Sequence, residues 1–336
     1  MHAIMGITGQ IGGVVARALL ASGQPVRAVV RDPAKGQAWS ACGCEVALAT
    51  IDDPTSPAAA FRGAESVFVL VPANFDPLPE FPEAQEIGKA LHAALEQANP
   101  ARVVYLSTIG AQANQSNLLT QHTLIEKAIG GLANPVTFLR PAWFMENSSW
   151  DVAPAREHGV IPSFLQPLDK PVPMVATADI GKVAAELLQG TWKASLCGAM
   201  HWGLEPTWSS PSPPLAGPAW SEERAGERRP LFYSGHSVHG GHRVVELEGP
   251  ERVTPNQIAA TFARLLGRPV RMEAVPRESW EALFKSQGMK NPTPRIRMLD
   301  GFNEGWIDFG HGEADSLKGN VTLETVLNAL INPDVH

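Results

Sequence analysis

Tyrosine and cysteine are scarce in this chain, two of the first and three of the second in 336 residues. An odd, small number of cysteines makes no disulfide framework, and Cys42 and Cys44 lie too close in sequence to staple much. No second Cys pair completes a zinc site. Positive charge is not in excess either. The 27 basic residues face 34 acidic ones, for a formal charge of -7, and no basic cluster stands out. Nucleic acid is therefore not expected as a direct partner. No apolar run is long enough to span a bilayer, so no membrane is expected. The N-terminus lacks a charged lead followed by a long apolar stretch. Secreted and membrane-embedded classes are set aside, and a cytoplasmic location is expected. A G-x-S-x-G elbow for acyl transfer and a P-loop lysine are both missing. What is present is 44% apolar and 18% charged, enough to bury a core. The length suits about two domains.

The first 140 residues alternate two periods. Short apolar runs stand at 3–6, 26–30, 46–49, 67–71, 102–106 and 136–139. Helical patterns lie at 12–22, 81–97 and 119–129. Runs this apolar suit strands buried on both faces of a parallel sheet. The alternation predicts a doubly wound α/β fold, a parallel Rossmann-type sheet over residues 1–140. Beyond Pro141 the pattern weakens into a smaller mixed α/β lobe, 141–336. It holds strands near 173–175, 244–247 and 270–275 and helices near 177–188, 255–266 and 278–287. Residues 191–242 follow neither period. They contain four of the nine tryptophans and six prolines, and read as an irregular insertion. Within it, His236-x-x-His239-x-x-His242 sits among glycines and reads as solvated histidines, so no metal is expected.

The segment Gly6-Ile7-Thr8-Gly9-Gln10-Ile11-Gly12 stands between the first strand and the first helix. Glycines there let backbone N–H groups approach a pyrophosphate, and the helix N-terminus adds positive partial charge. The spacing is G-x-x-G-x-x-G, and its position after a strand and before a helix carries the inference. The second strand ends at Val30, and Arg31, Asp32 and Lys35 follow. An arginine at this strand end suits the 2′-phosphate of NADP, whereas an acidic residue would suit the ribose of NAD. Arg31 and Lys35 favour NADPH, and the adjacent Asp32 keeps NADH open.

With these residues in place, the chain resembles the NmrA-like family of atypical short-chain dehydrogenase/reductases, to which bacterial type 2 quinone oxidoreductases belong. The resemblance rests on the glycine turn, on Val29 to Lys35, on Leu139-Arg140-Pro141-Ala142-Trp143-Phe144-Met145-Glu146-Asn147, on Thr177 to Gly181 and on Glu246 to Pro250. It implies that Thr8, Gly9, Gln10, Ile11 and Arg31 line the cofactor, joined by Val71 and Pro72 after the fourth strand and by Ser107 and Thr108 after the fifth. It places the nicotinamide against Pro141 to Asn147, so that Trp143, Phe144 and Asn147 border the substrate. Phe302 and Trp306, four residues apart near the second lobe, would wall the same pocket, although core packing explains them equally. The chain departs from the family after the third strand, where Thr50 and Ile51 stand in place of an acidic residue.

Many short-chain dehydrogenases use a Tyr-x-x-x-Lys pair to relay a proton. Here Ile109 lies four residues after Tyr105, and Ser237 lies four after Tyr233, so that pair is absent. At the corresponding place stand His122 and Glu126, on one helix face at i and i+4. A carboxylate beside the imidazole would favour the charged form and make His122 a proton donor. A solvated face with a routine ion pair is the other reading. The leading expectation is an NADPH-dependent reductase of a quinone or similar small electrophile. Its rival is a non-catalytic NAD(P) sensor acting through a partner protein. A homodimer is also left open.

Overall fold

The computed structural model describes residues 1–51, 53, 55–191, 242–310 and 312–333. In the first part, β1 (His2–Met5), β2 (Val26–Val30), β3 (Glu45–Leu48), β4 (Ser66–Val69), β5 (Arg102–Leu106) and β6 (Val136–Pro141) alternate with helices. These helices are α1 (Gln10–Ala21), α2 (Pro33–Ala41), α3 (Ser56–Phe61), α4 (Pro82–Ala98) and α5 (Thr120–Ile129). The second part carries β7 (Trp143–Phe144), α6 (Val152–Glu157), β8 (Val160–Ser163), β9 (Met174–Val175) and α7 (Thr177–Gln189). It continues with β10 (His242–Glu248), α8 (Pro255–Leu266), β11 (Arg271–Ala274), α9 (Trp280–Ser286), α10 (Thr293–Glu304), β12 (Leu317–Lys318) and α11 (Leu323–Ile331).

The main sheet has eight strands in the order β12-β10-β6-β5-β4-β1-β2-β3, and every adjacent pair is parallel. Neighbouring residues in its central strands point to opposite faces, as a period of two requires. Ala3, Val67, Val69 and Val103 pack with Phe61, Leu91 and Ile125 of α3, α4 and α5. Ile4, Phe68 and Val104 pack on the other face with Val15 and Leu19 of α1 and Ile180 and Leu187 of α7. Helices therefore cover both faces, and the fold is the doubly wound Rossmann-type sheet. Gly181 lets α7 approach α1, because a Cβ there would lie 2.5 Å from Val14.

Two strands from beyond residue 140 belong to this sheet. β10 pairs with β6 from His242↔Val136 to Leu247↔Pro141, and β12 pairs with the end of β10. The second half of the chain thus divides between the sheet and the smaller lobe, so residue 140 is not where the sheet ends. The physical reason is that the apolar edge of β6 needs a partner, and Val244, Val245 and Leu247 supply it. The lobe itself joins β8 to β11 and β7 to β9 as two small parallel pairs. Phe164, Trp280 and Phe284 form its aromatic centre, with ring separations of 5.5 and 5.1 Å from Phe164.

Residues 192–241, with Trp192, Trp202, Trp208, Trp220, His236 and His239, lie outside the described residues. His242 is described, and it stacks on Phe138 as the first residue of β10, with ring centroids 5.0 Å apart. The stretch around Met298 and Phe302 is helix α10. No helix among the described residues is long and apolar enough to cross a membrane.

Candidate cofactor and substrate site

The site lies beyond the carboxyl ends of the strands, where the chain leaves β1 for β2 on one side while β4 lies on the other. In such sheets this reversal opens a crevice. Gly6 has φ +66°, a conformation that favours glycine. Its carbonyl accepts from the Gly9 N–H at 2.9 Å, and Gly9 then N-caps α1 with no side chain over the helix end. Gly12 is the tightest of the three glycines. A Cβ there would fall 2.2 Å from the Gly6 oxygen, whereas one at Gly9 would meet the same atom at 3.3 Å. Thr8, Gly9 and Gln10 are exposed, and Ile11 and Gly12 are buried. The first group faces the crevice and the second supports the turn from behind. The first turn of α1 contains no acidic residue, so its N–H groups are free to receive an anion. These features fit a dinucleotide pyrophosphate.

At the tip of β2, Asp32 is the N-cap of α2. Its Oδ1 accepts from the Ala34 N–H at 2.9 Å, with Pro33 in the first turn. That carboxylate is committed to the helix. Arg31 and Lys35 are exposed, and no carboxylate among the described residues pairs with either. An open cleft of about 370 Å³ runs beside them, lined by Ile7, Thr8, Gly9, Gly13, Arg17, Lys35 and Trp39. Arg17 and Trp39 carried no sequence expectation.

Val71 and Pro72 follow β4 and border a cavity of about 20 Å³ shared with Asn74, Glu83, Gln121 and His122. The loop they begin is tied down at several points. Asn74 N–H donates to Gln121 Oε1 at 3.1 Å, and the Asp76 carboxylate accepts from the N–H groups of Lys290 and Asn291 at 2.9 and 2.6 Å. It therefore straps the sheet to the second lobe. Those two N–H donors hold the Asp76 carboxyl below the usual carboxylate range.

The pair expected between His122 and Glu126 is not made. Both lie on α5, but Arg140 reaches over from β6 and binds Glu126 through two bonds, 2.9 Å from Nε and 2.6 Å from Nη2. Ser107, at the end of β5, donates its hydroxyl to the same carboxylate. Ser107 and Glu126 are buried, and Thr108 beside them is half-buried. His122 turns instead to Tyr105, with Nδ1 2.7 Å from the phenol oxygen. Burial pushes the imidazole down to about 4, and the nearby Glu126 charge opposes this without prevailing. Burial thus favours the neutral imidazole, and the partner of His122 is the Tyr105 phenol, not the Glu126 carboxylate expected from helix spacing. The Tyr105 phenol is held above its ordinary value by burial first and by the Glu126 charge second. Arg140 was visible in the sequence within the Leu139 to Asn147 segment. Its partner could not be, since the two residues meet only across β6 and α5.

On the substrate side, Trp143 of β7 meets Phe302 of α10 edge to face, with centroids 5.2 Å apart. Phe144 is half-buried and Asn147 is exposed. Phe302 is almost wholly buried and belongs to the core as much as to a wall. Trp306 does not share its helix face. α10 stops at Glu304, and Gly305 takes φ +93°, so the i, i+4 relation does not hold. Trp306 donates Nε1–H to Glu304 at 2.8 Å and lies under the Arg297 guanidinium.

Residues 2–199 match the NmrA-like family, more than half of the chain, and the protein belongs to that family. Quinone oxidoreductase 2 of Escherichia coli K12 is 24% identical over 297 residues, covering 86% of this chain and 82% of its own. An NAD(P)H azoreductase of Xenophilus azovorans is 25% identical, with the same shares covered. Among solved structures, an NADPH-dependent quinone oxidoreductase of E. coli complexed with NADPH superposes with a TM-score of 0.63. Its identity is 22%, with 99% of this chain and 95% of that one covered.

Proposed function

We propose that this protein is an NADPH-dependent reductase of a small conjugated electrophile, a quinone or an azo compound being the natural classes. One observation carries the cofactor choice. At the tip of β2 the acidic residue caps α2, while Arg31 and Lys35 stand without carboxylate partners among the described residues. An Asp whose Oδ1 caps a helix is oriented toward that helix end, and a guanidinium fork suits a 2′-phosphate. The glycine turn holds the pyrophosphate through the open first turn of α1. When bound, NADPH supplies a hydride. The chain's part is to bind it, to shape the space beneath Trp143 and Phe144, and to exclude water there.

The absence of a Tyr-x-x-x-Lys pair supports an acceptor that needs little proton help. Hydride addition to a quinone gives a stabilised phenolate, which water can protonate later. Hydride addition to a simple ketone gives an alkoxide that calls for a general acid. Here His122 is held in its neutral form, a far weaker acid than an imidazolium, and Ser107, Glu126 and Arg140 satisfy one another. The names of the quinone and azo reductases among its relatives point to the same acceptor classes.

The same quiet polar cluster also supports a second reading, a cofactor-loaded sensor that acts through a protein partner. Titration with NADPH and NADH by intrinsic fluorescence, followed by a quinone and azo-dye screen, separates the two. Oxidation of bound NADPH by any of these acceptors supports the reductase. Tight NADPH binding with no acceptor turned over supports the sensor, and no binding of either cofactor would sink both.

A further inference from the structure

We infer that Arg17 is a further reader of the cofactor's 2′-phosphate, working from α1 while Arg31 and Lys35 work from the tip of β2; this rests on the dinucleotide reading above. Side chains on a helix lean toward its N-terminus, so Arg17 covers the turn before it. Here that turn holds Gly13. A Cβ at Gly13 would lie 3.3 Å from Arg17 Nη1 and 3.5 Å from Nη2. The guanidinium thus folds back over a position that glycine leaves bare, on the side of the helix toward the glycine turn.

Arg17, Lys35, Thr8 and Gly9 then line one cleft of about 370 Å³, with the Trp39 ring as part of its wall. Two like charges facing one space repel each other, and Lys35 lies in the first turn of α2, the positive end of that helix, where a cation is disfavoured. Neither has an ion-pair partner among the described residues, although eight other arginines of the described chain have one. An anion between them removes the repulsion. The glycine turn accounts for the pyrophosphate, and the remaining anionic group of NADPH is the 2′-phosphate of its adenosine. A phosphate there can take a fork from Arg17 and a point charge from Lys35. The carboxylate next to them, Asp32, turns its Oδ1 to the Ala34 N–H and makes no ion pair with either.

Calorimetry on the full chain tests this with four probes: 2′,5′-ADP, 5′-AMP, NADPH and NADH. Arg17→Gln should weaken 2′,5′-ADP and NADPH by about tenfold or more, leaving 5′-AMP and NADH within about twofold. Arg17→Lys should recover part of the loss. The affinity of the Arg17→Gln protein for 2′,5′-ADP should also fall less steeply with salt. Arg17 is exposed, so these variants should melt as the wild type does. Unchanged 2′,5′-ADP binding in Arg17→Gln, with a loss in Arg31→Ala, would overturn the role of Arg17 and leave the NADPH reading standing. An equal loss of 5′-AMP and 2′,5′-ADP would overturn it too, because Arg17 would then be holding the turn. Failure of the wild type to bind any of the four would remove the dinucleotide reading and this inference together.

Discussion

The Tyr105 phenol and the His122 imidazole share a 2.7 Å hydrogen bond that joins the fifth strand of the sheet to the helix packed across it. The phenol is fully buried, and the half-buried imidazole lines the narrow cavity behind Val71 and Pro72. Each residue is the other's polar outlet in an apolar layer, which is why the imidazole is held neutral.

That burial has a pH signature. The folded imidazole titrates at about 4, below the ordinary value near 6.5. The unfolded chain therefore binds the proton first as pH falls, and stability drops between about 6.5 and 4. The loss should be at most about 3 kcal/mol, an upper bound because the ring is only half-buried and lines a cavity. Urea unfolding at a series of pH values should show this slope in the wild type. His122→Gln keeps a polar partner for Tyr105 but does not titrate, so its slope should be shallower. An unchanged slope would mean that other groups cause the acid loss.

Gly12 and Gly9 should fail differently. Gly12→Ala drives a methyl into the Gly6 carbonyl, a backbone atom with nowhere to go. That variant should lose stability outright, seen as a lowered melting temperature. Gly9→Ala meets only one atom, the Gly6 oxygen at 3.3 Å, which a shift of a few tenths of an ångström relieves, so it should fold and lose NADPH affinity. If Gly9→Ala bound NADPH as the wild type does, the pyrophosphate would not lie against this turn.

Arg31→Ala should weaken NADPH by roughly ten- to a hundredfold, the worth of one charge-assisted fork, and barely change NADH. Fluorescence titration with each cofactor measures this. Equal losses would show that Arg31 positions the strand end without reading a phosphate.

Arg140→Met strands the buried Glu126 carboxylate with Ser107 as its remaining close partner. Breaking a buried pair from one side typically costs about 3–5 kcal/mol. Arg140→Met combined with Glu126→Leu should recover much of that loss, because no charge is then left uncompensated. Chemical denaturation of the two variants decides it. Equal stability of the single and double variants would show that Glu126 is neutralised by something else.

Asp76→Ala removes the acceptor that binds the Lys290 and Asn291 N–H groups. Hydrogen exchange at those two amides should quicken markedly, with the sheet amides of β4 and β5 unchanged. Exchange at 290 and 291 that stays as slow as before would mean that the strap is held elsewhere.

The sheet was legible in the sequence wherever burial was complete. Val67 to Val69 and Val103 to Leu106 are apolar on both faces because helices cover both, and no loop or exposed helix looks like that. The helix α2 was not read, since its stretch is polar and contains Gly36. Its start was nevertheless written in Asp32 and Pro33, an N-cap followed by a first-turn proline. Gly36 has its own reason, as a Cβ there would lie 2.7 Å from Val46 of β3. At the site, the glycine turn was plain because one short segment contains it all. The Glu126–Arg140 pair, the Tyr105–His122 bond and the Asp76 strap were hidden, because each joins residues from separate elements. Periodicity along one helix placed Glu126 beside His122 correctly but could say nothing about an arginine arriving from a neighbouring strand.

The pairing of β10 with β6 bears on how the molecule comes to be made. Until residue 248 has been synthesised, β6 is the last strand of a growing sheet, and its outer row of N–H and C=O groups has no partner. Such an edge is a template for any other extended chain. A nascent polypeptide that has released its glycine turn, its strand tips and α5 therefore still carries an open flank, and the chain that closes it lies more than a hundred residues downstream. Truncated products ending before His242 should aggregate through β6 even though every element named for the cofactor is already present.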